Sequence, residues 1–312
     1  MSIYLVSFIA LFILKIVYLQ IAKKLNIVDK PNHRSSHKTI TIRGGGIVFP
    51  ISILLYFMLS GFQYPLFVLG VFIISLVSFI DDIKSLSASI RLFFQFISIL
   101  FVLFQLSDSL PLVYMPIVLF IFLGGVNAYN FMDGINGITV SYSLVLLLTF
   151  YFLNSVLFFV DNNLIIFILL SIIVFAFFNF RIRALCFSGD VGSVSIALIV
   201  LFLLLKLIID TGEPIYALLL SIYAIDSGCT LLYRKFKGED IFKPHRSHLY
   251  QKLIDHKGYS HLMVSLLYSS FQLTLNYLII FHISKLHNKT LCVVLLLSIL
   301  IFSYIVIKRK LK

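Results

Sequence analysis

Long apolar runs follow one another along the chain, separated by short polar stretches. They cover residues 2–22, 46–60, 65–80, 90–107, 111–129, 138–160, 164–180, 192–209, 214–232, 262–283 and 290–307. A spanning helix needs roughly 20 predominantly apolar residues, so the pattern predicts about eleven transmembrane helices. The expected fold is an all-α, polytopic integral membrane helix bundle. The second and third runs are short, and their shared boundary is the least defined. No internal repeat, composition shift or long linker breaks the pattern, so 1–312 reads as a single integral membrane domain. The first run has no basic stretch ahead of it and no convincing small-residue cleavage site before Lys23. It is expected to be a retained span rather than a signal peptide.

Composition agrees with the pattern. The chain is 60% hydrophobic, with mean hydropathy +1.05, whereas soluble domains are roughly 45–50% apolar. A net charge of +12 would suggest nucleic acid in a soluble protein. In a membrane protein it reflects the excess of Lys and Arg in cytoplasmic loops, and no nucleic-acid partner is expected. Cys186, Cys229 and Cys292 are scattered and match neither a metal spacing nor a disulfide framework.

Charge also orients the chain. With the N-terminus outside, the inner segments carry nearly all of the 25 Lys and Arg residues. The outer loops hold only Lys285 and Lys289, and Lys15 and Lys206 lie within spans. The positive-inside rule then places the C-terminus in the cytoplasm. Asp108, Asp161, Asp210 and Glu213 fall on outer turns, where solvated loop charge explains them. Asp81, Asp82, Asp133, Asp190 and Asp226 instead gather at the inner ends of different spans.

Carboxylates converging on one face repel one another unless they are spread apart or held by a cation. An oxygen-rich site of this kind suits Mg²⁺, which uses one or two carboxylates plus substrate phosphates; Mn²⁺ is the alternative ion. Asp81-Asp82 either performs chemistry or caps the fourth helix. In NAYNFMDGINGI, residues 127–138, Asn127 and Asn130 share a helix face, and Asp133-Gly134 and Asn136-Gly137 are turn dipeptides. Amide side chains both donate and accept, which suits base or ribose recognition. In FSGDVGSVSIA, residues 187–197, Gly189 and Asp190 stand just before an apolar helix. They can cradle phosphate and hold Mg²⁺, or simply cap the helix. In PHRSHLYQKL, residues 244–253, His245 and His248 can share a helix face beside Arg246, and the basic surroundings favour phosphate over zinc. The glycine-rich stretch 29–47 is either a flexible linker or a lipid-headgroup or phosphate contact through Lys38 and Arg43.

Taken together and in this order, these segments resemble the polyprenyl-phosphate N-acetylhexosamine-1-phosphate transferase family. The resemblance runs from Asp29 to Gln251. The D-x-P-N-x-R-S-S-H and R-G-G-G segments and the H-R-S-H-L-Y-Q box look most like its O-antigen-initiating branch. The resemblance implies a Mg²⁺-dependent reaction on the cytoplasmic leaflet of a bacterial inner membrane. A UDP-sugar and polyprenyl phosphate would be the substrates and UMP a product. It implies that Asp81 and Asp82 activate the lipid phosphate and that Asp190 binds the metal. Asn127, Asn130 and Asp133 would lie near the nucleotide, and His245, Arg246 and His248 would contact phosphate. Asn136 stands where the family commonly has Asp, so amide hydrogen bonding replaces a carboxylate there. Ile40 replaces a common proline. A second copy of the chain is a candidate partner. The competing reading is a transporter or flippase of lipid-linked sugars, which should carry ionisable groups near the bilayer midplane. A noncatalytic scaffold leaves the acids unexplained.

Overall fold

The computed structural model describes residues 3–31, 39–240, 245–286 and 288–311. Lys38 lies outside the described residues. The chain is a multi-pass, all-α membrane protein. Among the described residues, ten helical segments are long and apolar enough to cross a membrane, and Gly45–Leu59 is a shorter apolar segment. Helices suit this role because every backbone group inside a bilayer must be satisfied within the chain.

The helices are α1 (Ile3–Lys24), α2 (Val48–Leu59), α3 (Pro65–Ile83), α4 (Ala88–Gln105), α5 (Met115–Met132), α6 (Ile138–Leu157), α7 (Asn162–Asn179), α8 (Gly189–Thr211), α9 (Ser221–Phe236), α10 (Leu249–Lys257), α11 (His261–Phe281) and α12 (Lys289–Lys310). Their starts carry local signals. Pro65 opens α3, and the side chains of Ser87, Asp161, Ser260 and Asn288 accept first-turn amides of α4, α7, α11 and α12. Ser87, not Asp81, therefore caps the fourth helix. Asp161 caps α7, Lys206 pairs with Asp210, and Lys289 pairs with Glu213 at 2.5 Å. Asp161, Asp210 and Glu213 of the outer turns thus have partners.

Helix α8 is the axis of the bundle. Its most apolar 18-residue stretch is 83% buried, against 6% for α12. A helix apolar on all sides belongs inside, and α2, α3, α5 and α6 pack around it. Helix α12 lies at the periphery.

The glycine-rich stretch is ordered by backbone pairing where it is described. Strand β1 (Val28–Asp29) runs antiparallel to β2 (Thr41–Ile42), with Val28 opposite Ile42 and Asp29 opposite Thr41. Beyond β2 the chain zips onto the segment before α8. Phe187 N donates to Ile42 O, Gly45 N to Phe187 O and Gly46 N to Ser188 O, each at 2.8 Å. Gly45–Ile47 is a short 3-10 turn rather than a free linker. A Cβ on Gly46 would strike Gly192 Cα, so the close approach requires glycine. Beneath the turn, the buried Lys15 of α1 donates Nζ to Gly45 O and lies 4.9 Å from the centre of the Phe175 ring.

Candidate active site

The α3 terminus, the start of α8 and the β2–α2 turn meet at one end of the bundle. Asp82 is the N-terminal cap of α8, supplied from another helix. Its Oδ1 accepts Asp190 N at 2.8 Å and its Oδ2 accepts Val191 N at 3.1 Å. A carboxylate at a helix N-terminus also meets the positive end of the helix dipole. Gly189 allows the approach. It adopts φ +71°, and a Cβ there would collide with Asp82 Oδ2 and with the backbone of Gly44.

Two arginines thread the acids. Arg43 Nε is 2.7 Å from Asp82 Oδ1, and its Nη2 is 3.1 Å from Asp190 Oδ1. Burial opposes the charge of Arg43, but Asp190, Asp82 and Asp29 outweigh it and raise its pKa. Arg91 of α4 lies 3.5 Å from Asp81 Oδ2 and 3.9 Å from Asp190 Oδ2. Asp81 Oδ1 accepts Leu86 N at 2.6 Å across the α3–α4 turn.

The α5–α6 turn supplies the second group. Asn127 and Asn130 share a face of α5. Asn127 Nδ2 donates to Gln95 Oε1 at 3.0 Å, and Asn130 Oδ1 accepts from Ser193 Oγ at 2.7 Å. Asp133 accepts Thr139 Oγ1 at 2.5 Å and also the Ser188 hydroxyl. Its pKa is pushed up to about 6 by burial, which those two hydrogen bonds only partly offset. Asn136 turns away. Its Nδ2 donates to Arg181 O and Ile182 O at 3.0 and 3.1 Å, pinning the α7–α8 connection.

Residues 245–248 are not helical; α10 begins at Leu249. The two histidines meet instead along an extended segment, with ring centres 4.9 Å apart. Ser247 Oγ lies 2.9 Å from His245 Nδ1. Burial, His248 and Arg234 hold the pKa of His245 down to about 4. Arg246 faces outward in a two-pronged pair with Asp255, at 2.7 and 2.6 Å, and this pairing raises its pKa.

A cavity of about 780 Å³ opens among these groups. Its polar wall carries Arg91, Asn127, Asn130, Asp133, Asp190, His245 and His248. Its apolar wall includes Ile74, Leu92, Phe94, Phe120 and Leu231.

Residues 64–208 match the model of glycosyl transferase family 4. The chain is 27% identical over 291 residues to the "probable undecaprenyl-phosphate N-acetylglucosaminyl 1-phosphate transferase" of Bacillus subtilis (strain 168), covering 83% of this chain and 78% of that protein. It is 26% identical over 263 residues to the undecaprenyl-phosphate alpha-N-acetylglucosaminyl 1-phosphate transferase of Escherichia coli (strain K12), covering 75% and 71%. The matches support the polyprenyl-phosphate hexosamine-1-phosphate transferase family.

Among the residues singled out by resemblance to this transferase family, Asn127, Asn130, Asp133, Asp190, His245 and His248 share the cavity wall. Asp81 stands behind Arg91, and Asp82, Arg43 and Gly189 form a layer behind Asp190. Asn136 and Arg246 do not line the cavity. Sequence reasoning missed Arg91, counted only as an inner cation, and Tyr250, whose hydroxyl donates to Phe131 O at 3.0 Å on the cavity wall. Arg91 lies nine residues past Asp82, in the first turn of α4, where a cation next to an acidic pair was a readable signal.

Proposed function

We propose that this chain transfers a sugar-1-phosphate, of the N-acetylated hexosamine class, from a UDP-sugar to a polyprenyl phosphate. UMP leaves and a polyprenyl diphosphate-sugar results, the first lipid intermediate of O-antigen or a related cell-envelope glycan. The observation that carries the reading is the single cavity with two characters: carboxylates, amides, imidazoles and Arg91 on one wall, and Leu92, Phe94, Phe120 and Leu231 on the other. Ligand sites of roughly 300–1,000 Å³ are usual, and this one takes a polar head together with the start of an apolar tail. The concentration of Lys and Arg in segments at the same end supports a bacterial inner membrane with this end in the cytoplasm, the N-terminus outside and the C-terminus inside.

Among the described residues no three His, Cys, Asp or Glu side chains form a metal cage. The Asp190 carboxylate on the cavity wall is the hard-oxygen donor that Mg²⁺ or Mn²⁺ takes alongside substrate phosphates, so the residues fit that ion. When bound, the ion neutralises charge on the pyrophosphate. The chain's own groups do the rest. Arg91 and the imidazoles of His245 and His248 face the phosphates. Asn127 and Asn130 have the hydrogen-bonding capacity to orient nucleoside or sugar. Asp82 is fully engaged in capping α8 and pairing with Arg43, so its role is to position Asp190. Asp81 holds Arg91 toward the phosphates, and the last proton of the lipid phosphate, whose second pKa is roughly 6, passes to a carboxylate that lines the cavity. The lipid phosphate oxygen attacks the phosphorus attached to the sugar, and the bond from that phosphorus to the oxygen of UMP breaks.

Purified protein, polyprenyl phosphate and a UDP-N-acetylhexosamine labelled at the β-phosphorus test the reading. The label should enter the lipid. Label leaving as UDP would mean glycosyl transfer, and label unchanged during vesicle translocation of a lipid-linked sugar would support the flippase reading.

A further inference from the structure

Asp226 has no part in the chemistry proposed above. It sits within α9 rather than at its end, 2% exposed. Its Oδ1 accepts Leu249 N at 2.9 Å, and its Oδ2 accepts Tyr250 N at 3.3 Å. One carboxylate thus holds the first two amides of α10, as Asp82 holds the second and third of α8. Hydroxyls from three other positions complete the shell. Tyr268 of α11 donates at 2.7 Å, Tyr304 of α12 at 3.1 Å and Thr230 at 3.3 Å. Lys308 donates Nζ to Tyr304 OH at 2.6 Å and to Thr230 Oγ1 at 2.8 Å. An ammonium only donates, so it occupies acceptor positions on both hydroxyls, which lie 2.7 Å apart and divide their protons between each other and the carboxylate.

The remaining neighbour is His248. Its Nδ1 is buried without a hydrogen bond, and Asp226 Oδ1 lies 3.5 Å away, within ion-pair reach. With Nδ1 turned to the carboxylate, Nε2 is the nitrogen left for the cavity that His248 lines. A carboxylate behind an imidazole fixes its tautomer and ring orientation.

We propose that Asp226 is the positioning residue for His248. Together with Tyr268, Tyr304 and Lys308 it sets the ring that faces the phosphates and seats residues 245–250 on the cavity. The periphery of the bundle thereby serves its centre: α12 contributes to the site through Tyr304 and Lys308 although it is otherwise almost unburied. The assignment rests on the transferase reading of the cavity.

UMP release by the full chain in detergent, with undecaprenyl phosphate, UDP-N-acetylglucosamine or its epimer, and Mg²⁺, provides the rate. Asp226→Asn should lower kcat about 10–100-fold, the range for removing a carboxylate partner from a metal-bound histidine. KM for the UDP-sugar should change less, and Asp226→Glu should recover part of the rate. The deciding comparison is made in a His248→Gln background, where Asp226→Asn should cost no further rate. Tyr304→Phe, which removes the hydroxyl with its bonds to Asp226, Thr230 and Lys308 and keeps the ring, should lower kcat a few-fold in the wild-type background only. It carries the test if Asp226→Asn does not fold. Nitrogen-15 histidine spectra give a readout independent of turnover. The resonance lost in His248→Gln should report an Nδ1-protonated ring that shifts in Tyr304→Phe. Folded protein that releases no UMP with any UDP-sugar would refute the transferase reading while the spectra still judge the positioning role. Equal rate losses in both backgrounds, or a His248 resonance unmoved by Tyr304→Phe, would overturn the proposal.

Discussion

Asp82 and Asp190 share the guanidinium of Arg43 yet predict different phenotypes. Asp82 accepts two backbone amides and an ion pair in a buried setting. Asp82→Asn leaves the start of α8 poorly capped and Arg43 short of a partner, which should cost about 1–3 kcal/mol. Thermal unfolding in detergent should show the loss before any assay is run. Asp190 holds no backbone group through its side chain, and its replacement leaves Asp81 and Asp82 facing Arg43 and Arg91. Asp190→Asn should therefore keep the midpoint of unfolding and lose turnover; a variant with wild-type rate and unchanged Mg²⁺ dependence would exclude the metal role. Two other site residues respond to pH in opposite senses. Asp133, raised to about 6 from 3.8, binds its proton more tightly in the folded state, so its contribution to stability falls as pH rises from about 4 to about 6. His245, lowered to about 4 from 6.5, resists protonation in the folded state, so its contribution is lost as pH falls through about 6 to 4. The two oppose each other over that window. Asp133→Asn should make stability climb more steeply with pH there, and His245→Gln should flatten or reverse the climb. Unfolding midpoints between pH 4 and 7 check both. The residue types of this site were legible in the sequence because acids and amides at the ends of apolar runs need a reason. Their pairings were not, because Asp82 with Asp190 and Asp133 with Ser188 are joined only by the packing of separate helices.

At the scale of elements, the short α2 illustrates how glycine sets an approach distance. The 3-10 turn before it lies against the first turn of α8, and a Cβ on Gly46 would meet Gly192 Cα and Ser188 O. Neither is the flexible end of a side chain, so backbone must shift. Gly46→Ala should destabilise the fold by about 1–3 kcal/mol, the usual range for overpacking, and should displace Arg43 from its acids. Gly228→Ala is the control. Nothing lies within 4 Å of its added Cβ, and α9 gains a better helix former. Equal stability of the two variants would mean that the turn is not clamped. The long spans were readable because each is an apolar run of bilayer length. The clamp was not, since three glycines in a row announce freedom from side chains without saying what comes close. Nor was α10 distinguishable from loop. It has nine residues, its amides are capped by Asp226 from α9, and the histidines that seemed spaced for one helix face lie just before it.

For the whole molecule, the proposed orientation follows from which end of the bundle carries the cations. Alternation of the helices brings the segments after α1, α3, α5, α7 and α9 to the end that holds the cavity, and those segments contain Arg43, Lys84, Arg181, Arg183 and Lys237. The opposite end carries Lys285, together with Lys289, which pairs with Glu213, and Lys206, which pairs with Asp210. Such an imbalance is what positive-inside insertion produces, and it also suits the chemistry, because two anionic phosphates must approach where repulsion is weakly screened. In the proposed orientation one distribution of charge would serve both insertion and catalysis. Reporter fusions after residues 108 and 161 should read periplasmic, and fusions after 183 and 245 cytoplasmic. The decisive point is 161, between α6 and α7. If a fusion there reads cytoplasmic, the cavity faces outward, beyond the reach of cytoplasmic nucleotide sugars, and the proposed reaction cannot proceed as described.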